Sequence, residues 1–332
     1  MSEVFTFRTR NTSGVVDFIA FGDHGMEAEG MTTTDLIADA EPDFVLLSGD
    51  ISYANGDQSI WDDYMRYNQK SMAKTPWMIA PGNHENEPGY DFDAYESRFE
   101  FPSDSGTDLY HSFVDGPVQI IQFSTEHDFE PGSQQYNWLE GELQDAQNRR
   151  DSSPWVIVSA HKPMYTSHGS DTHDIDAELR TALEPLFVQY NVSIIVWGHD
   201  HFYERTWPVI DSEVQSRGDP GEASTFSGQH APIHFITGTG GGGEYEYEEE
   251  QPEWSAYREN SFGYLRIKAT SEQMQIDYQR HDGTISDSVT LRTGDPEPVD
   301  DEERGLPFHS LALTLCVLLL AAGHRRATDG DI

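Results

Sequence analysis

Five apolar runs in this chain each end on a short polar turn, and the turns draw on the same few residue types. Val15 to Phe21 runs into Gly22-Asp23, Phe44 to Leu47 into Ser48-Gly49-Asp50, and Trp77 to Ala80 into Pro81-Gly82-Asn83-His84. Trp155 to Ala160 ends at His161, and Val192 to Trp197 ends in Gly198-His199-Asp200-His201. A short unbroken apolar run reads as a strand buried on both faces, as in a parallel sheet covered by helices. Helical patterns lie between the runs: Thr33 to Ala40, Ser59 to Ala73, Gln134 to Asn148, and Ile175 to Tyr190 with Pro185 inside it. Tyr110 to Val114 and Val118 to Ser124 read as a hairpin around Asp115-Gly116-Pro117. A Gly/Pro/Ser-rich excursion, Arg217 to Gln229, precedes Ile233 to Thr237 and three late strands near Phe262, Met274 and Ile285. There is no internal repeat. Alternating strands and helices with a strand-rich end predict a layered α/β domain with mixed sheets. Ligands in such sheets gather at the carboxyl ends of strands, so the five turns are expected to share one edge.

Composition narrows the partners. The chain has 59 acidic against 20 basic residues, a formal net charge of -39. That surface repels duplex nucleic acid. It also repels phosphate esters unless bound cations reverse the sign locally. Only 4 of the basic residues are Lys and 16 are Arg, a balance suited to a salt-rich setting where self-repulsion is screened. A single cysteine, Cys316, excludes an intramolecular disulfide framework and says little about compartment. The sequons at Asn11 and Asn191 are as consistent with chance as with glycosylation.

The donor types at the turns suit two cations. Asp23, Asp50 and Tyr53 offer three anionic oxygens, enough with His201 to balance a hard trivalent ion. Asn83, His161 and His199 are neutral donors that, sharing Asp50, suit a divalent ion such as zinc, manganese or ferrous iron. Asp50 as a bridge would hold the ions about 3.5–4 Å apart, the spacing used in in-line phosphoryl displacement. Each turn alone is a weak signal, since Gly-Asp and Asn-His are common in loops. His-x-His on a strand would put both imidazoles on one face. The ordered set of five is the strong signal.

Gly22-Asp23-His24-Gly25, Gly49-Asp50-Ile51-Ser52-Tyr53, Gly82-Asn83-His84-Glu85, Val158-Ser159-Ala160-His161 and Gly198-His199-Asp200-His201 resemble the five ordered motifs of the purple acid phosphatases. These belong to the calcineurin-like metallophosphoesterases, and the resemblance covers about Gly14 to Arg292. It implies a four-layer αββα sandwich of two mixed β-sheets flanked by helices, and hydrolysis of phosphate monoesters. It further implies Fe(3+) at Asp23, Asp50, Tyr53 and His201, with Zn(2+), Mn(2+) or Fe(2+) at Asp50, Asn83, His161 and His199. Charge transfer from Tyr53 to iron would colour the protein. By the same matching, a metal-bridging hydroxide is the nucleophile and His84 hydrogen-bonds the substrate phosphate. The proton donor to the leaving group is a histidine after the fourth motif; His168 and His173 both qualify, with a slight preference for His168.

Other features take plainer readings. His24 either lines the site or sits in solvent. Gly238 to Gly243 lacks the Lys-Ser/Thr ending of a phosphate cradle and reads as a flexible loop beside the site. Glu244 to Glu250 reads as a solvated acidic run, and His111, His230, His234 and His281 as ordinary packed or surface histidines. The expected organisation is a remnant strand of a preceding β-domain over 1–13, the catalytic domain over 14–294, an acidic linker over 295–304 and an apolar tail over 305–332. Leu311 to Ala322 followed by His324-Arg325-Arg326 reads either as a membrane anchor or as a docked or disordered tail; the run alone is short for a span and reaches marginal length only when counted from Gly305. The N-terminus has no apolar signal-peptide core. If the tail inserts, the catalytic domain would face outward, which fits a secretory-route enzyme, extracellular or at the cell surface, acting on small phosphorylated substrates. Two alternatives remain open: a nucleotide diphosphate or phosphodiester hydrolase, which Ser124-Thr125-Glu126-His127 resembles, and a catalytically silent metal-binding surface protein.

Overall fold

Strand β1 (Val16–Phe21) shows why the apolar runs are unbroken. Val16, Phe18 and Ala20 face one core while Ile19 and Phe21 face another. With both faces largely covered by protein, the one polar position is Asp17 near the strand's start, partly exposed and paired with Arg266 at 2.9 Å. The computed structural model describes residues 5–6, 14–102, 105–169, 176–219, 221–222 and 224–294. The remnant strand expected over 1–13 (residues 5–6 apart), His173, the acidic linker and the apolar tail lie outside the described residues. Among those described, no helix is long and apolar enough to cross a membrane.

The first sheet sets β1 parallel to β2 (Val45–Ser48) and β3 (Trp77–Ala80). The second is built on a hairpin of β4 (His111–Asp115) and β5 (Val118–Gln122), extended in parallel by β6 (Trp155–Ala160) and β7 (Ile194–Trp197). Antiparallel β8 (Tyr203–Thr206) follows, then a small separate hairpin, β9 (Val209–Ile210) with β10 (Glu213–Val214). The chain adds β11 (Thr225–Ser227) at the edge of the first sheet, then β12 (Ile233–Thr237) and β13 (Ser255–Glu259) to the second. β14 (Gly263–Ala269), β15 (Gln273–Arg280) and β16 (Ile285–Arg292) complete the first as a meander. The strand orders are β11-β16-β15-β14-β1-β2-β3 and β13-β8-β12-β7-β6-β5-β4.

Helices α1 (Ala28–Ala40), α2 (Gln58–Met72) and the short α3 (Asp93–Glu96) accompany the first sheet, where Ile37, Trp61, Tyr64 and Tyr95 pack with Ile19 and Val45. Helices α4 (Gln134–Asn148) and α5 (Asp176–Gln189) accompany the second, with Leu139, Leu143, Leu183 and Phe187 against Val158 and Trp197. Between the sheets, Phe18, Leu46, Ile120, Ile157, Val196 and Leu265 form the central core. This is the expected four-layer αββα sandwich with two mixed sheets. The Asp57 carboxylate starts α2 by accepting from the Ser59 amide at 3.0 Å, and the Ser133 hydroxyl starts α4 by accepting from Tyr136 at 3.1 Å.

Two departures have physical causes. Helix α1 begins five residues before the Thr33 expected from pattern. Its first turns carry Gly30 and three threonines, poor helix formers held by tertiary bonds: Thr33 donates to the Gly240 carbonyl and Thr34 to Asn68. Strand β8 was hidden because Tyr-Glu-Arg-Thr is polar yet buried. Glu204 accepts from the Ser167 amide and the Ser255 hydroxyl, while Arg205 grips Asp287 with two hydrogen bonds of 2.6 and 3.0 Å. Buried charges survive only when paired this completely.

Candidate metal centre

All five turns open at the same edge, between the two sheets, and their side chains converge. The convergence depends on unusual backbone: Asp23, Asp50, Tyr53 and His199 have φ of 60, 54, 53 and 71°. Non-glycine residues rarely enter this left-handed region, and such strain concentrates at functional sites. It turns each side chain back over the strand end rather than outward. The glycines ahead of these residues allow close approach. A Cβ on Gly82 would lie 2.3 Å from Asp50 Oδ1, and one on Gly198 would lie 2.6 Å from Asp23 Oδ2.

One half of the cluster gathers Asp23, Tyr53 and His201. The Tyr53 hydroxyl donates to Asp23 Oδ1 at 3.1 Å, and His201 Nε2 lies 3.1 Å from each of those oxygens. Asp23 Oδ2 also accepts from the His199 amide at 2.7 Å. The other half gathers Asp50, Asn83, His161 and His199. His161 Nε2 is 3.0 Å from Asn83 Oδ1, 3.2 Å from His199 Nδ1 and 3.3 Å from Asp50 Oδ1. One donor atom from each of Asp50, His161 and His199 falls within 4.8 Å of the others. His161 Nδ1 is 2.8 Å from the Ser48 carbonyl, an acceptor only, so that nitrogen carries a proton and Nε2 is the one turned into the cluster.

The donors fit cations. Atoms bound to one ion at about 2.0–2.2 Å sit roughly 3 Å from each other, as these do. Electrostatics agree. Burial alone would lower the His161 imidazole, yet Asp50, then Asp23 and Glu126, carry it up to about 10. Burial, then Asp23 and Asp50, push the Tyr53 phenol well above its ordinary value, so its ionisation calls for a strong Lewis acid.

Glu85 organises the loops that carry Asp50 and Asn83, a role the motif alone did not show. It is buried, and its Oε2 accepts from the amides of Asp50 at 2.9 Å and Gly82 at 2.7 Å, while Oε1 accepts from Ile51 at 2.9 Å. The loops after β2 and β3 are thereby joined. Burial first, and then Asp50, push its carboxyl up to about 8.

The remaining expected residues lie around this cluster. His84 leans on the Tyr53 ring, centroids 4.6 Å apart, with Nδ1 on the Asn55 amide oxygen at 2.7 Å and Nε2 3.8 Å from Asp50 Oδ2. Asn55 was not foreseen. His168 is half-buried on the loop after β6, bridged to Tyr247 and edge-on to Tyr245 at 5.4 Å. It borders a cleft of ≈ 640 Å³ lined by Gly169 and residues 244–250.

Several expectations are corrected. His24 neither lines the site nor meets solvent: it is fully buried, donates from Nε2 to the Gly30 carbonyl at 2.9 Å and accepts from the Tyr64 hydroxyl at 2.7 Å. Burial, reinforced by His281 and opposed by the Gly30 carbonyl, brings it down to about 4. His199 and His201 lie on the turn after β7, not on a strand, and point into different halves of the cluster. Residues 238–243 are not a loose loop; Gly242 leaves no room for a Cβ, which would lie 2.4 Å from the Tyr53 hydroxyl. The run 244–250 is not wholly solvated, because Tyr245 stacks on His201 at 4.0 Å and 9°.

The calcineurin-like phosphoesterase profile matches residues 18–203, and the iron/zinc purple acid phosphatase-like protein C profile matches residues 231–288. Acid phosphatase type 7 of Danio rerio is 34% identical over 327 residues, covering 87% of this chain and 71% of that protein. Probable purple acid phosphatase 20 of Arabidopsis thaliana is 32% identical, covering 87% of this chain and 68% of that protein. A solved purple acid phosphatase from yellow lupin seeds superposes with a TM-score of 0.76 at 26% identity, covering 92% of this chain and 58% of that chain.

Proposed function

This chain belongs to the purple acid phosphatases within the calcineurin-like phosphoesterases, and from that membership we propose that it hydrolyses phosphate monoesters at a binuclear iron–divalent metal centre. The carrying observation is one cluster with two adjoining donor groups, Asp23, Tyr53 and His201 on one side and Asp50, Asn83, His161 and His199 on the other, joined where the His199 amide donates to Asp23.

In this reading Asp23, Asp50, Tyr53 and His201 hold ferric iron, and Asp50, Asn83, His161 and His199 hold zinc, manganese or ferrous iron. Three anionic oxygens on the first side favour the trivalent ion, and the neutral donors of the second favour a divalent one. The bound metals supply an activated water and neutralise phosphate charge. The protein's own groups do the rest. Asn55 accepts from His84 Nδ1 and so orients the ring, leaving Nε2 to face a phosphate oxygen. Glu85 fixes the backbone of Asp50 so that the shared carboxylate does not swing. His168, on the cleft wall beside Tyr245, delivers a proton to the departing alkoxide. The acidic rim of that cleft, Glu244 to Glu250, disfavours leaving groups that carry further negative charge.

The sequence-level reading of 305–332 as an anchor behind a secretory-route domain belongs to the same proposal; its support is the apolar Leu311 to Ala322 run with basic residues after it. Release of the protein from membranes by alkaline extraction would contradict it. For the activity itself, the test compares p-nitrophenyl phosphate, bis(p-nitrophenyl) phosphate and a nucleoside diphosphate on metal-replete enzyme. The monoester is expected to lead. A preference for the diester or the diphosphate contradicts the reading, as does no turnover of any of the three.

A further inference from the structure

Histidines that hold metals almost always donate their second ring nitrogen to a carbonyl or carboxylate, which fixes the plane of the ring. His161 follows this rule through Ser48 at 2.8 Å. His201 does not. Its Nε2 faces Asp23 and Tyr53, while Nδ1 is buried and makes no hydrogen bond among the described residues. Nothing polar backs that imidazole on its Nδ1 side; its two polar contacts are both at Nε2.

A ring restrains it instead. Tyr245 lies flat on His201, with centroids 4.0 Å apart and planes 9° from parallel. The pair is registered by the backbone as well, since the Tyr245 amide donates to the His201 carbonyl at 3.0 Å. The tyrosine is itself enclosed: His168 meets it edge-on at 5.4 Å. On the Nδ1 side Gly243 lies beside the ring, where a Cβ would only reach ordinary contact with that nitrogen at 3.5 Å. Rotation of the imidazole would drive it into Tyr245. Offset aromatic stacking of this kind contributes about 0.5–1.5 kcal/mol beyond area burial, on top of the steric restriction.

We propose that Tyr245 is the positioning residue for His201, holding its imidazole in the ligating orientation by stacking where His161 uses a hydrogen bond. The proposal rests on the reading of His201 as a ligand of the iron side. It assigns a task to the Glu244 to Glu250 stretch beyond shaping surface charge, and it makes the iron side more sensitive than the divalent side to changes in this loop.

The test uses the full chain, metal-replete, as wild type, Tyr245→Phe and Tyr245→Leu. Three quantities are read: iron and divalent metal per chain, the rate of iron loss to a chelator, and the visible absorption band of Tyr53 bound to iron. Tyr245→Phe keeps the stacked ring and should match wild type in all three. Tyr245→Leu should lose iron about 10-fold faster or more, the range seen when the group behind a ligand is removed. Its band should move or weaken, while the divalent ion is retained. If Tyr245→Leu does not fold, Tyr245→Met keeps the bulk without the ring and carries the same expectation. Folded Leu or Met protein with wild-type iron retention and an unchanged band overturns the proposal. Equal losses in Tyr245→Phe overturn it too, because the hydroxyl and not the ring would then matter. Wild type without iron or a band removes the ligand reading itself, and shows this before any variant is made.

Discussion

Adding one methyl group at Gly82 should disable the site while leaving the fold standing. Gly82 has φ -109 and ψ -172°, extended backbone that any residue adopts, so Gly82→Ala carries no conformational penalty. The cost is contact. The new Cβ would lie 2.3 Å from Asp50 Oδ1, 2.6 Å from the Asp50 amide nitrogen and 2.9 Å from the His161 ring. Ordinary contact begins near 3.4 Å, so carboxylate and methyl must part by about 1 Å. Asp50 has little freedom to yield, because Oδ1 accepts from the His84 amide at 2.9 Å and its own amide is held by Glu85 at 2.9 Å. Overpacking of this kind costs about 1–3 kcal/mol of stability. A displacement of about 1 Å in a positioned reacting group lowers kcat/KM by roughly 10²-fold, close to 2.7 kcal/mol of barrier. The assay is kcat/KM on p-nitrophenyl phosphate alongside metal content and urea unfolding. Gly141→Ala in α4, where a Cβ meets nothing within 4 Å, is the control and should gain about 0.5–1 kcal/mol. A folded Gly82→Ala enzyme with both metals and kcat/KM within about threefold of wild type would refute the reasoning.

Further outcomes follow from the same geometry. Asp50→Ala should strip both metals, measured by elemental analysis, since in this reading its carboxylate is shared by both ions; retention of one ion at full occupancy would contradict the shared role. His84→Ala should keep both metals yet slow turnover by about 10²-fold or more, read as kcat at saturating substrate. His234 is fully buried, and burial, then Arg180, lower it to about 3. Its folded value lies below the unfolded 6.5, so its stabilising contribution is whole above pH 6.5 and is lost as pH falls toward 3. Its Nδ1 accepts from Trp197 Nε1 at 3.1 Å, and protonation there would set donor against donor. The urea midpoint of His234→Gln should therefore fall less steeply than that of wild type between pH 6.5 and about 4, a difference on the order of a few kcal/mol. Parallel curves would count against it.

The layered fold was readable because both faces of β1, β2, β6 and β7 are covered, which leaves unbroken apolar runs of strand length. The candidate ligands were readable because each follows such a run directly. Much of what assembles them was not. The left-handed backbone at Asp23, Asp50, Tyr53 and His199 leaves no mark beyond a neighbouring glycine. Strand β8 hides behind Glu204 and Arg205, whose burial is tolerable only through Ser167, Ser255 and Asp287, the last far along the chain. His24 looked like a site residue by adjacency to Asp23, but its position is decided by Tyr64 on α2. Tyr245 was absorbed into an acidic run, because composition describes the glutamates and cannot show which face of the loop meets His201.

The central claim is a pair of unlike metals joined at Asp50, with Tyr53 bound to a ferric ion. Its most direct measurement is the visible spectrum of purified protein together with its metal content, for wild type and Tyr53→Phe. Wild type should contain iron and one divalent metal in equal amounts and show a broad visible band that Tyr53→Phe lacks. An active, colourless wild type containing only zinc or manganese would contradict the account.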